Sequence, residues 1–172
     1  MNNQHPNKIE ELINHYNLLP HPEGGFFRQT YAAAEQISKE ALPERFEGSR
    51  SYSTAIYFLL PHGSFSAFHR IKSDEVWHFY EGCLINIHVI HPNGEYECLK
   101  LGSNLNNGES YQLVVPANAW FASEPIGEPG SFALVGCTVA PGFDFSDFEL
   151  AEAAVLINQF PLHQQLISRL CR

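Results

Sequence analysis

The sequence predicts an all-β domain of the double-sheet barrel type with helices at both ends, and three observations predict it. Between His21 and Pro141, short runs rich in Phe, Tyr, Val, Ile and Thr recur about every ten residues, each bounded by Gly, Pro or Asn. The boundaries carry turn chemistry: Pro61-His-Gly63, His91-Pro-Asn-Gly94 and Asn106-Asn-Gly108 supply residues preset for a turn or tolerant of positive φ. No helical pattern separates the runs, which argues for a sandwich or barrel against a parallel α/β sheet.

Each element follows in order. Asn7 with Glu10 three residues on forms a capping box, and Ile9, Leu12, Ile13 and Tyr16 recur at helical spacing, so a helix is expected over about residues 8–18. Strands are expected over Phe26 to Tyr31, Ser53 to Leu60, Phe65 to Ile71, Glu75 to Tyr80 and Leu84 to Ile90, then over Tyr96 to Leu101, Tyr111 to Val115, Trp120 to Ser123 and Phe132 to Ala140. The segment Ala32 to Arg50, with Pro43, Gly48 and mixed charges, reads as an excursion over the surface or the barrel mouth. Helix returns over about 148–170: Leu150, Ala153, Ala154 and Ile157 share one face, and Pro161 opens a last helix with Leu162, Leu166, Ile167 and Leu170. Asp144 and Asp147 are expected to cap its start. With no repeat and no linker, residues 1–172 read as one domain with the barrel at about 22–141.

Composition narrows the partners. An aromatic content of 13% with only 17% charged residues describes a chain that folds. A formal charge of −9, without any basic run, argues against nucleic acid and anionic membrane surfaces. The polar start Met1 to Lys8 lacks an apolar leader core, and no 18 apolar residues run together, so a cytoplasmic protein is expected. Cys83, Cys98, Cys137 and Cys171 lack metal-knuckle spacing and read as reduced thiols, with Cys83 and Cys137 buried.

The densest chemistry lies in Gly63 to Gly82, GSFSAFHRIKSDEVWHFYEG. His69 follows Gly63 by six residues, Glu75 follows His69 by six, and Gly82 follows Glu75 by seven. This spacing resembles the first signature of the cupin superfamily, G-x5-H-x-H-x3-4-E-x6-G, with Ile71 in place of the second histidine. The second signature is degraded: Asn118 stands for the inner glycine, where asparagine can supply the same left-handed turn, and Phe121 stands for the last metal histidine.

The likeness is closer to a domain-of-unknown-function branch of the cupins. Its motifs are here Pro22-Glu-Gly-Gly-Phe-Phe-Arg-Gln-Thr-Tyr31, Ser53 to Leu60, Val115-Pro-Ala-Asn-Ala-Trp120 and Gly136-Cys-Thr-Val-Ala-Pro-Gly-Phe-Asp-Phe145. The resemblance implies a jelly-roll barrel, or double-stranded β-helix, and homodimers; it brings no agreed reaction.

Strand alternation then places the pocket. His69 and Ile71 share one face, while Glu75, Trp77 and Phe79 share one face of the next strand, opposite His78 and Tyr80. Inward His69 and Glu75, as the resemblance implies, turn His78 away. A cupin metal is normally held by three imidazoles and a carboxylate; His69 and Glu75 alone remain as metal candidates, so no metal or other cofactor is expected. Nothing in the spacing predicts a rescue by His62, His88 or Cys137.

The metal-free reading follows the superfamily's sugar-nucleotide epimerases: His69 as general base, Glu75 orienting it, and Tyr57 or Tyr52 as acid. Arg28 is a candidate to hold a carboxylate or phosphate. Trp77, Phe79, Trp120 and Phe121, with Ile71, are candidates for an aromatic and apolar wall against a sugar or base ring. His5, His15, His21, His91 and His163 receive no role. The expected function is small-molecule binding with epimerase- or isomerase-like proton transfer on a sugar, nucleotide-sugar or related polar metabolite. The rivals are a non-catalytic binding or sensing module and a metal-dependent oxygenase or isomerase.

Overall fold

The computed structural model describes residues 7–172; the start of the polar amino-terminal stretch, with His5, lies outside the described residues. Helix α1 (Lys8–Tyr16) begins where the Asn7 side chain accepts from the Ile9 amide and ends at Asn17, whose φ of 51° breaks the helical repeat. The strands are β1 (Leu19–Pro20), β2 (Phe26–Ala32), β3 (Gln36–Ile37), β4 (Arg50–Ser51), β5 (Thr54–Pro61), β6 (Ser66–Arg70) and β7 (Asp74–Gly82). They continue with β8 (Leu84–Ile90), β9 (Tyr96–Leu101), β10 (Gln112–Val115), β11 (Trp120–Ile126), β12 (Phe132–Ala140) and β13 (Glu149–Leu150). Helices α2 (Ala153–Gln159) and α3 (Gln164–Leu170) close the chain.

Two antiparallel sheets face each other, as the jelly-roll expectation requires. One has the order β1-β2-β5-β12-β7-β10 and the other β13-β6-β11-β8-β9. Phe58, Leu60, Trp77, Ile85, Ile87, Phe121 and Val135 project from the two inner faces and fill the space between them. The outer faces are covered as well. Leu12 and Leu18 pack on Leu59 and Leu134 of the first sheet, and Leu156, Phe160, Ile167 and Leu170 pack on Phe68, Trp120 and Ala122 of the second. This double cover explains why β5 reads as a near-continuous apolar run without a polar alternate.

Several boundaries differ from the sequence reading, each for a local reason. Strand β11 runs on to Ile126 through Pro125, because pairing with β6 stops at Ser123 and a missing N–H costs nothing on that open side. The carboxy-terminal helix is broken. Leu150 pairs with His69 in β13, the Ala151 amide donates to the Phe68 carbonyl, and Pro161 starts a separate turn before α3. Asp144 caps only the short turn Phe145–Asp147. Asp147 caps nothing: it takes two 2.6 Å hydrogen bonds from the guanidinium of buried Arg50. The excursion after β2 is thereby anchored, with Phe46 fully buried beneath Arg50. Asn118 has a φ of 64°, the left-handed turn expected of the glycine it replaces. Among the described residues no helix is long and apolar enough to cross a membrane.

Candidate functional site

A cavity of about 60 Å³ lies between the sheets at one end of the barrel. Strand alternation sets its walls: Ile56 and Phe58 from β5, His69 at the end of β6 with Ile71 just beyond, Glu75 from β7, and Cys137 and Val139 from β12. Two loops complete it. The turn before β2 brings His21 and Glu23, and the turn after β12 brings Phe143, Phe145 and Phe148.

The Glu23 turn is held against β6. Gly24 and Gly25 adopt φ of 118° and 68°, the Gly24 amide donates to the His21 carbonyl, and the Ala67 amide donates to the Glu23 carbonyl at 2.8 Å. A Cβ on Gly24 would stand 2.1 Å from the Phe65 carbonyl oxygen, so only glycine allows this approach. Glu23 is thereby driven inward. Its Oε2 lies 3.1 Å from His69 Nε2 and 3.4 Å from His21 Nδ1.

The proton in this pair can be placed. His69 Nδ1 lies 2.7 Å from the Ala67 carbonyl, which only accepts, so Nδ1 carries the hydrogen and Nε2 of the neutral ring is the acceptor. Burial drives the His69 imidazole down to about 3 despite that carbonyl, and burial lowers His21 to about 4. Burial, reinforced by the neighbouring Glu75 charge, raises Glu23 well above the usual carboxylate range. Protonated Glu23 therefore stands beside the acceptor nitrogen of His69, with Oε2 3.1 Å from Nε2. Glu75 is also buried, and burial lifts it to about 7 against the opposing pull of the Trp77 indole and the Cys137 thiol. Two proton-holding groups thus face one cavity, Glu75 from one sheet and the Glu23–His69 pair from the other side.

Against this geometry the sequence-derived candidates divide. His69, Ile71 and Glu75 line the cavity. Glu75 does not orient His69, because Glu23 occupies the Nε2 position, and the Ala67 carbonyl occupies Nδ1. Tyr57 is not available as an acid: it projects from the opposite face to Ile56 and Phe58 and packs on Tyr16 and Tyr80 beside α1. Tyr52 is half exposed outside the cavity. Arg28 alternates outward between the cavity residues Phe27 and Gln29 and is exposed, so no ligand anion in the cavity reaches it. Trp120 faces the carboxy-terminal helices, with Arg70 over its ring at 4.5 Å. Trp77, Phe79 and Phe121 point inward but belong to the core beneath the cavity; Phe121 meets the His69 ring at 4.0 Å between centroids.

The aromatic wall comes instead from Phe27, Phe58, Phe143, Phe145 and Phe148. Glu23, His21 and the phenylalanine turn are the components that strand reasoning missed. The sequence signals for Glu23 are the glycine pair that follows it and its place in the Pro22 to Tyr31 motif. His78 points outward, with Nε2 3.1 Å from Thr138 Oγ1. His88 is also outside, held between Tyr96 and Glu124.

The donors present do not fit a cupin metal centre. Ile71 and Phe121 replace two imidazoles, both His69 nitrogens are engaged, and among the described residues no three His, Cys, Asp or Glu side chains are arranged to hold an ion.

Comparison with known proteins agrees with this architecture. A family model described as "Cupin superfamily (DUF985)" matches residues 10–151. An uncharacterised protein of Saccharomyces cerevisiae, YML079W, is 31% identical over 150 residues, covering 83% of this chain and 74% of that protein. Among solved structures, protein SO0799 from Shewanella oneidensis superposes with a TM-score of 0.85 at 35% identity, over 100% of this chain and 99% of that one. A hypothetical protein from Leishmania major gives 0.84 at 32% identity, over 94% and 97%. Oxalate decarboxylase from Bacillus subtilis, at 14% identity and a TM-score of 0.53 over 88% of this chain and 36% of that one, shares the fold alone. The motifs that bend Glu23 and the phenylalanine turn into the barrel lie within the matched span, and the chain belongs to the DUF985 family of the cupin superfamily.

Proposed function

We propose that this cupin binds a small polar metabolite in the barrel and moves a proton on it, an isomerase- or epimerase-type acid–base reaction that uses no metal. One observation carries the reading: Glu75 and the Glu23–His69 pair, both able to hold or release a proton, face the same small cavity. Glu75, at about 7, is partly ionised near neutrality and suits a general base, whereas His69 at about 3 does not. The base is therefore Glu75, and the acid is Glu23, whose carboxyl stands 3.1 Å from His69 Nε2 and faces the cavity. In this scheme the Glu75 carboxylate takes a proton from a carbon next to a carbonyl, while Glu23 donates to the oxygen that gains charge. A volume of about 60 Å³ favours a compact molecule over a nucleotide-sugar.

The test is solvent exchange. A panel of small carbonyl metabolites is incubated with the protein in deuterated water and followed by proton NMR. Loss of one signal next to a carbonyl is expected, slowed about 10²–10⁴-fold by Glu75→Gln and unchanged by Tyr57→Phe. A ligand that is bound and retained without exchange would overturn catalysis in favour of a binding module. Full exchange in Glu75→Gln would remove Glu75 from its role.

A further inference from the structure

We infer that the cavity takes a small organic cation, a protonated amine or amidine, seated on the Glu75 carboxylate inside the ring of phenylalanines. This deepens the proton-transfer reading by naming the charge of the ligand, and rests on the same pocket.

The charge balance of the walls carries it. Two carboxyl groups, Glu23 and Glu75, line the cavity, and no Lys or Arg does. Cations outside its walls have other partners: Arg50 is paired with Asp147, Arg70 with Glu149, Lys72 lies 3.4–3.5 Å from Glu47 and Asp147, and Arg172 donates to the Phe65 carbonyl. The remaining titratable groups facing Glu75 are His21, His69 and the Cys137 thiol. Burial keeps both imidazoles uncharged and holds the thiol protonated, so none of them neutralises a carboxylate.

Glu23 has its partner in His69. Glu75 has none: its side chain is buried with 8% exposure, opens on the cavity, and makes no ion pair among the described residues. A buried carboxyl without a counter-charge is costly, and an entering cation supplies that charge from outside the fold. The phenylalanine faces add to the preference, since ring quadrupoles attract a desolvated cation and disfavour an anion. An anionic ligand would meet two carboxyl groups with nothing to offset it, and Arg28 lies on the outer face.

Three probes of one shape and different charge test this: isobutylammonium, isobutanol and isobutyrate, titrated against the whole chain by calorimetry and NMR. At about pH 8 the ammonium ion is expected to bind at least about tenfold more tightly than the alcohol, with isobutyrate weakest. Toward about pH 6, where Glu75 is protonated, the ammonium advantage shrinks. Near about pH 7, calorimetry in buffers of different ionisation heat should show proton release with the ammonium ion and none with the alcohol. Glu75→Gln removes the ammonium preference while leaving alcohol binding, and Glu75→Asp retains it. Equal or tighter binding of the alcohol or the carboxylate, or binding by none of the three, overturns the proposal. The readout is binding alone, so an absence of deuterium exchange leaves this result standing, and failure here leaves the exchange result standing.

Discussion

Glu75→Gln converts the buried carboxyl into a neutral group of the same shape, and the consequence for stability follows from the fold. A glutamate that titrates at about 7 in the folded chain and at 4.5 when free binds its proton more tightly in the fold. Its contribution is therefore fully present below about pH 4.5 and is lost as pH rises through about 7. At about 1.4 kcal/mol per pH unit, that gap amounts to roughly 3 kcal/mol between acid and alkaline conditions. The buried histidines act in the opposite sense. His21 and His69, lowered to about 4 and 3, give stability that is present above the free histidine value and lost as pH falls below it. Both act in wild type and variant alike, so the difference between the two profiles reports the Glu75 carboxyl together with its coupling to Glu23. Urea denaturation at about pH 5, 6, 7 and 8 should show the variant gaining on wild type by roughly 2.5 kcal/mol across that range. Two parallel profiles would mean that Glu75 is solvated or already paired, and both the proton-transfer and the cation readings would lose their base.

Two further outcomes test the loops that complete the pocket. Arg50→Met leaves the Asp147 carboxylate buried with only Lys72 at 3.5 Å, and should cost about 3 kcal/mol or more in urea denaturation at neutral pH. A loss below about 1 kcal/mol, the range of a solvent-exposed pair, would show that the turn after β12 does not depend on this contact. Gly24→Ala places a Cβ 2.1 Å from the Phe65 carbonyl at a φ of 118°, so the Glu23 turn must move. The expected result is a loss of at least about 2 kcal/mol, together with a changed His69 tautomer signal in nitrogen NMR. An unaltered His69 signal would separate the glycine from the Glu23–His69 contact.

The fold was legible because a barrel strand is a local object: β-branched and aromatic runs, turn residues and end helices each show in a few consecutive residues. His69, Ile71 and Glu75 were legible for the same reason, since strand alternation carries them to the inside once one face is known. Tyr57 and Trp120 were misplaced because their strands are covered on both sides. Ile56, Tyr57, Phe58 and Leu59 are all apolar or aromatic, as α1 packs where solvent would otherwise demand a polar alternate. Glu23 escaped because a turn has no period. Its inward direction comes from two left-handed glycines and a contact with β6, more than forty residues away along the chain. The phenylalanine turn escaped likewise, because Asp147 resembles a helix cap until Arg50, 97 residues earlier, claims it.

The Arg50–Asp147 pair ties the cavity to a segment far from it in sequence. Phe145 and Phe148 roof the cavity, and the turn that carries them is tied through Asp147 and Ser146 to an arginine at the end of an excursion outside the barrel. A molecule bound in the cavity would rest against that turn, so its release would depend in part on a joint that touches no ligand. Two chains with identical pocket walls and different residues at position 50 would then hold the same molecule with similar contacts and release it at different speeds.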